Sequence, residues 1–223
     1  MVGVAQAPTV AVLARAPSAG GKRRLFAELD IPADPTLLTA LFLDTLDGVL
    51  ATGFRVLVAV EPPSAIDEVR ALLPPRVEVV AQSAGDLGDR MRALMAQGFA
   101  RGADAVVLVG SDLPDLSPEP LRAALDVLDT EPDVIVLGPA ADGGYYLVGA
   151  TQLPDVFTGI PWGGSDVLAH TEAAANRAGL TCRRVTMHSD VDRPADLMLV
   201  KARRTKAWVE QARARGLRIE GAG

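Results

Sequence analysis

At 223 residues and 49% hydrophobic composition, the chain suffices for one substantial α/β domain, taken as residues 1–223 with a core over about 9–200. A formal charge of −6 and a pI near 5.0 leave no basic field to attract a polyanion, which excludes extended nucleic acid as the expected partner. One cysteine, Cys182, rules out an internal disulfide and a cysteine-rich metal cluster and fits the reducing cytoplasm, and no apolar run reaches the roughly 20 residues that span a bilayer.

In chain order, short β-rich apolar runs alternate with helical patterns, the signature of βαβ units and a parallel sheet. Strands are predicted at 9–14, 55–60, 77–81 and 105–109, with helices at 35–50, 64–73, 87–101 and 119–128 between and after them. The strands are almost continuously apolar, so helices should cover both faces of the sheet. After a strand at 134–137, DGGYYLVG reads as a turn into an added antiparallel strand rather than as a crossover helix. Helices at 166–178 and 195–215 follow, around a strand at 182–187. The expected fold class is α/β with a mixed, mainly parallel, Rossmann-like sheet.

The segment VVLVGSDLPDL, residues 106–116, runs an apolar strand into Ser111 and Asp112. In open α/β sheets ligands collect at the carboxyl ends of the strands, and a carboxylate there can hold Mg2+ or Mn2+ against nucleotide phosphates. The alternative is a turn in which Ser111 or Asp112 satisfies local amides. A later stretch, HSDVDRPADL, offers Asp190 or Asp192 as a second metal ligand, although Asp192 ahead of Pro194 also fits a helix cap.

The first strand leads into ARAPSAGGKRRL, where Arg15, Gly20, Gly21, Lys22 and Arg24 can cradle phosphates, with Lys22 and Arg24 as the principal contacts. In AQSAGDLGDRM, Gly85 and Gly88 would let a flat base approach while Gln82 and Asp86 read its edge; the alternative, compatible with the first, is that Asp86 caps the helix beginning at Leu87. Gly143, Gly144 and Tyr145 are candidate acceptor contacts, with Asp142 as a general base; the alternative is an Asp-Gly hairpin with both tyrosines facing outward. Trp162 joins the acceptor group. His170 and His188 lack ligand partners at helical spacing and read as structural, and the basic C-terminal helix reads as a solvated face. A homodimer is compatible with the chain, although no apolar stripe marks an interface.

GGKRRL, GDLGDRM, VGSDLPDL and LGPAADGGYYLVG, taken in that order, resemble a bacterial transferase family associated with radical-SAM and selenodomain gene clusters, over residues from about 10 to about 199. The resemblance implies a glycosyltransferase-A-like, nucleotide-diphospho-sugar transferase fold, with Asp112 at the metal position and the first loop on the nucleotide. The chain departs from the family pattern at Arg23, at Gly163 and Gly164, and at Arg193, which stand where the family usually has Thr, Ser-Thr and Thr.

The leading expectation from this resemblance is glycosyl transfer from a nucleotide sugar to a small acceptor, with metal-bound Asp112 supporting the departing diphosphate and Lys22 beside it. The alternative is nucleotidyl transfer from a nucleoside triphosphate to a phosphorylated small molecule, because the fold also resembles that of 2-phospholactate guanylyltransferase. A non-catalytic nucleotide-binding subunit is the third reading.

Overall fold

Seven strands form one sheet in the order β3-β2-β1-β4-β6-β5-β7, where β1 is Thr9–Arg15, β2 Arg55–Glu61, β3 Glu78–Ala81, β4 Val106–Val109, β5 Val134–Pro139, β6 Tyr145–Ala150 and β7 Thr181–Arg184. The structure is a computed structural model and describes residues 7–219. Every neighbouring pair is parallel except those made by β6, which runs antiparallel to both β4 and β5. This is the mixed, mainly parallel α/β fold expected from the sequence.

The strand alternation builds two cores. In β1, Val10, Val12 and Ala14 join a cluster with Phe42 and Leu46 of helix α2 (Pro35–Leu50), whereas Ala11 joins Leu94 and Met95 of α4 (Leu87–Ala100) on the opposite face. Helices α3 (Ile66–Leu72) and α5 (Pro118–Thr130) share the first face, and α6 (Val167–Arg177) shares the second. A third cluster joins α1 (Arg23–Glu28), α2, α7 (Pro194–Leu199) and α8 (Arg203–Ala214) through Leu25, Leu37, Leu197 and Val209. None of the described helices is long and apolar enough to cross a membrane.

Residues 195–215 do not form one helix. The chain leaves α7 after Leu199 and restarts at Arg203, because the Asp115 carboxylate accepts the Lys201 amide at 3.0 Å and the Ala202 amide at 2.7 Å. A carboxylate more than eighty residues away thereby claims donors that a continuous helix would direct to its own preceding turn.

Strand order reverses beside β1: the chain moves from β1 outward to β2 and β3, then returns to lay β4 on the other side. Loops leaving β1 and β4 consequently part across a crevice at the carboxyl edge, the place where such sheets bind ligands. Two contacts fix the β4 loop. The Thr45 hydroxyl of α2 accepts the Leu113 amide at 2.9 Å, and the Asp112 carbonyl accepts the Val191 amide at 3.2 Å, drawing residues 190–192 to the same edge.

Candidate active site

The loop after β1 turns through three successive residues of positive φ, Gly20 at 69°, Gly21 at 137° and Lys22 at 45°. Glycine takes such angles freely, but a lysine there is uncommon and its strain marks a position held by its surroundings. What holds Lys22 is visible. Its ammonium pairs with Asp112, lies 2.7 Å from Asp192 Oδ1 and 3.4 Å from Asp190 Oδ2. Three segments widely separated in sequence therefore meet at one charge.

The three carboxylates each offer an oxygen, all lying within 4.8 Å of one another. Hard oxygen donors at this spacing suit Mg2+ or Mn2+, and the group carries more negative charge than one ammonium neutralises. The residues fit a divalent ion. Both late aspartates, offered as alternatives from the sequence, join the cluster. Asp192 does not cap α7 as the Pro194 pattern also allowed. Asp196 accepts the Asp192 and Arg193 amides at 2.9 and 2.8 Å, leaving the Asp192 carboxylate to face Lys22.

Burial would lower the proton affinity of Lys22, but the charges of Asp112 and Asp190 and the hydrogen bonds to Asp112 and Asp192 outweigh it, so its pKa stands above the ordinary lysine value. Asp190 and Asp192 are shifted in opposite directions. Burial, followed by the Asp112 charge, raises Asp190 above 3.8; for Asp192 burial is overcome by its hydrogen bond to Lys22 and by the Lys22 charge, and its pKa falls below 3.8. The signs follow from linkage. Ionised Asp190 costs stability at pH values above its raised folded pKa and nothing well below 3.8, where it is protonated whether folded or unfolded. Ionised Asp192 contributes stability above 3.8 that disappears as pH falls through its lowered value. At pH 7 and without divalent ions, Asp190→Asn is therefore expected to raise the thermal midpoint by a few degrees and Asp192→Asn to lower it. Thermal melts from pH 3 to pH 7 check this; shifts of equal sign for both variants would contradict it.

On the other side of β1, the predicted base-reading residues are largely committed to the protein itself. The Gln82 side-chain amide donates to the Ala14 carbonyl at 2.7 Å and the Ala59 carbonyl at 3.2 Å, tying together the ends of β1 and β2. The Asp86 carboxylate accepts the Asp89 amide at 2.9 Å and Asp89 accepts the Asp86 amide at 3.2 Å, a reciprocal cap on α4. Asp86 thus has the capping role that the sequence also offered it. A side-chain carbon at Gly85 would lie 2.3 Å from the Asp89 carboxylate, so this glycine makes room for the cap.

A network not foreseen from the sequence ends β2. Glu61 pairs with Arg90 of α4 and stands 3.8 Å from Arg15. Its only signal was an acid closing an apolar strand at the ligand-binding edge. Arg15 also donates to the Ala19 carbonyl at 3.2 Å, bracing the loop that carries Lys22. Arg24 is exposed, and its charge contributes to the lowering of Asp192.

Beyond the carboxylates, a cleft of about 390 Å³ opens between α4 and α6. Ser111, Asp112, Asp142, Gly144, Tyr145, Trp162 and Asp190 line it, together with apolar side chains of the sheet. The predicted acceptor residues converge here with one exception. A side-chain carbon at Gly143, whose φ is 90°, would fall 1.8 Å from the Ser165 carbonyl oxygen. The room this glycine provides is filled by the protein's own backbone rather than by an acceptor.

Asp142 lies at the exposed hairpin turn and accepts the Gly144 amide at 2.9 Å. The tyrosines do not face outward. Tyr146 is buried with its hydroxyl on the Thr186 carbonyl at 2.9 Å, and burial pushes its pKa up to about 12. Tyr145 meets Trp162 edge-on, with ring centroids 6.5 Å apart.

Residues 45–164 match a family described as an uncharacterized protein conserved in bacteria, DUF2064. The chain belongs to this family. It is also similar to a 3-phospho-D-glycerate guanylyltransferase of Phenylobacterium zucineum, with 30% identity over 85% of this chain and 88% of the relative. A phosphoenolpyruvate guanylyltransferase of Geodermatophilus obscurus is 33% identical over 88% of this chain and 89% of its own length. Among solved structures, a protein provisionally described as a nucleotide-diphospho-sugar transferase from Desulfovibrio desulfuricans G20 superposes with a TM-score of 0.82 at 31% identity, over 94% of this chain and 96% of that one. This DUF2064 chain is accordingly a transferase with the fold its motifs implied. The radical-SAM and selenodomain association has no counterpart in these relatives' names.

Proposed function

We propose that the chain is a metal-dependent nucleotidyltransferase that joins the nucleoside monophosphate of a triphosphate to a phosphorylated small acceptor, releasing pyrophosphate. The observation that carries this reading is the meeting of Lys22 with Asp112, Asp190 and Asp192 between a glycine-opened loop and an acceptor-sized cleft. The activities named for the two guanylyltransferase relatives favour it over the leading expectation of glycosyl transfer.

Asp112, Asp190 and Asp192 would hold Mg2+ or Mn2+. Bound there, the ion supplies Lewis-acid charge to the reacting phosphate and the departing pyrophosphate. Gly20 and Gly21 leave the backbone open to a triphosphate, and Lys22 keeps a fixed positive charge at the junction between donor and acceptor. Arg24 stands exposed beside the same loop for the outer phosphates. An acceptor phosphate is already an anionic nucleophile, so this reaction requires no general base. Asp142 is free to serve as the turn acceptor that its bond to Gly144 makes it. A hydroxyl acceptor, as in glycosyl transfer, would need a base in that place.

Incubation with Mg2+, each of four nucleoside triphosphates, a set of nucleotide sugars and phosphorylated acceptors, followed by phosphorus NMR, tests the proposal. Pyrophosphate and a new diphosphate linkage are expected. Release of a nucleoside diphosphate from a nucleotide sugar, with no pyrophosphate from any triphosphate, would restore glycosyl transfer.

A further inference from the structure

Tyr146 of β6 is buried, and its ring reaches across the neighbouring strand β5. The crossing is open because β5 has Gly138 there. A side-chain carbon at Gly138 would fall 2.6 Å from Tyr146 Cε1 and 2.7 Å from Cζ, well inside van der Waals contact, so the room this glycine leaves is filled by the ring. On the far side of β5 the Tyr146 hydroxyl donates to the Thr186 carbonyl at 2.9 Å, just past the end of β7. The same ring packs against the His188 imidazole, with centroids 5.5 Å apart.

Beyond Thr186 the chain runs on to Asp190 and Asp192, two of the three carboxylates of the charged cluster. Few bonds hold this stretch. The Val185 and His188 amides donate to the Leu137 and Pro139 carbonyls of β5 at 3.0 and 3.1 Å, and the Val191 amide donates to the Asp112 carbonyl at 3.2 Å. Among the described residues, Tyr146 supplies the one hydrogen bond from a side chain of another element to residues 185–189. Its own carbonyl accepts the Gly110 amide at 3.4 Å, extending the β4–β6 pairing to a point two residues before Asp112. Tyr146 therefore touches both arms of the cluster, Asp112's through its backbone and that of Asp190 and Asp192 through its side chain.

Three carboxylates with oxygens within 4.8 Å of one another repel, and Lys22 offsets only part of that charge. A loosely held loop would relieve the repulsion by moving Asp190 and Asp192 outward. Magnesium in particular demands near-ideal placement of its ligands, so such movement weakens binding.

We infer that Tyr146 is a positioning residue: by tethering Thr186 across β5 it sets the distance of Asp190 and Asp192 from Asp112, and with it the strength with which the cluster holds a divalent ion. This role rests on the metal-dependent reading of the site. Tyr146 acts through the carboxylates, because its hydroxyl is engaged by Thr186. Groups one step removed from the ligands typically change metal affinity by roughly 10- to 100-fold.

Tyr146→Phe removes the hydroxyl and keeps the ring that packs on His188 and lines the cleft. In the metal-free protein, hydrogen–deuterium exchange over residues 185–192 is expected to quicken, above all at the His188 and Val191 amides. Manganese affinity, read from the electron paramagnetic resonance of the free ion well below the melting midpoint, is expected to fall roughly tenfold. Val77→Ala is the control for lost stability. Val77 is buried in the core at the amino end of β3, so its truncation should lower the midpoint and leave manganese affinity unchanged.

Gly138→Ala displaces the ring by a second route and is expected to reproduce both effects, so it decides the matter should Tyr146→Phe fail to fold. Unchanged manganese affinity in a folded Tyr146→Phe protein overturns the inference, as does an equal loss in Val77→Ala. If the unmodified protein shows no manganese binding that Asp112→Asn weakens, the metal reading itself is wrong, while the exchange result still decides whether Tyr146 tethers the loop.

Discussion

An Asp112→Asn enzyme is expected to lose roughly three orders of magnitude in kcat/KM for pyrophosphate release, about 4 kcal/mol of transition-state stabilisation. The argument begins with coordination. Magnesium is held by one or two protein carboxylates, with water and phosphate oxygens completing its shell, so removing one charge from a three-carboxylate cluster strikes a large share of the protein's hold on the ion. Asparagine keeps nearly the same shape. The bond that draws residues 190–192 to β4 uses the Asp112 carbonyl rather than its carboxylate, at 3.2 Å from the Val191 amide, so the variant should keep the loop in place. Two readouts should move together: the rate, and the rise in thermal midpoint that saturating Mg2+ produces in the unmodified protein. A kcat/KM within tenfold of the unmodified enzyme, with the same magnesium requirement, would remove Asp112 from the site.

Why Asp112 could be read from the sequence while much of its neighbourhood could not is a matter of range. An apolar run ending in Gly-Ser-Asp is a local pattern, and strand-end carboxylates belong at the ligand edge of any such sheet. The helix over 35–50 was equally legible, with Asp34 accepting the Thr36 amide at 2.7 Å and Pro35 opening the first turn. Asp192 shows where local reading fails to choose between two roles. Its spacing to Pro194 fits a cap, but Asp196 takes the amides and Lys22, 170 positions earlier, takes the carboxylate. Gly143 fails in the same way: a glycine in a turn signals that something comes close, yet not whether it is a ligand or, as here, the Ser165 backbone. Glu61 sits at the end of a strand as Asp112 does, and the same logic would have marked it. Its partners Arg15 and Arg90, on other segments, had no local sign.

The largest effect on stability is expected far from the cleft, at Asp44 of α2. Its side chain is almost wholly buried and accepts the Thr205 amide at 2.8 Å, the Thr205 hydroxyl at 2.9 Å and Arg204 Nη1 at 3.0 Å. This one carboxylate binds the start of α8, whose own turn cannot satisfy those first amides. Asp44→Ala leaves buried donors without partners and strips Arg204 of a counter-charge, changes worth about 3–5 kcal/mol when a buried pair is broken. Arg204 retains Asp47 and is partly exposed, so a loss of about 3 kcal/mol is expected, with Asp44→Asn losing less because it preserves an acceptor. Urea unfolding with an unchanged slope would measure it, and a loss below about 1 kcal/mol would show that α8 is held mainly by its apolar face. Activity should also fall. Val209 and Ala212 of α8 pack in the cluster that contains Leu25 and Phe26 of α1, and Lys22 stands directly before α1. Loosening α8 therefore relaxes the support beneath a strained lysine, and the next residue of α2, Thr45, holds the loop of Asp112 through the Leu113 amide. Both halves of the charged cluster thus lean on adjacent residues of one helix.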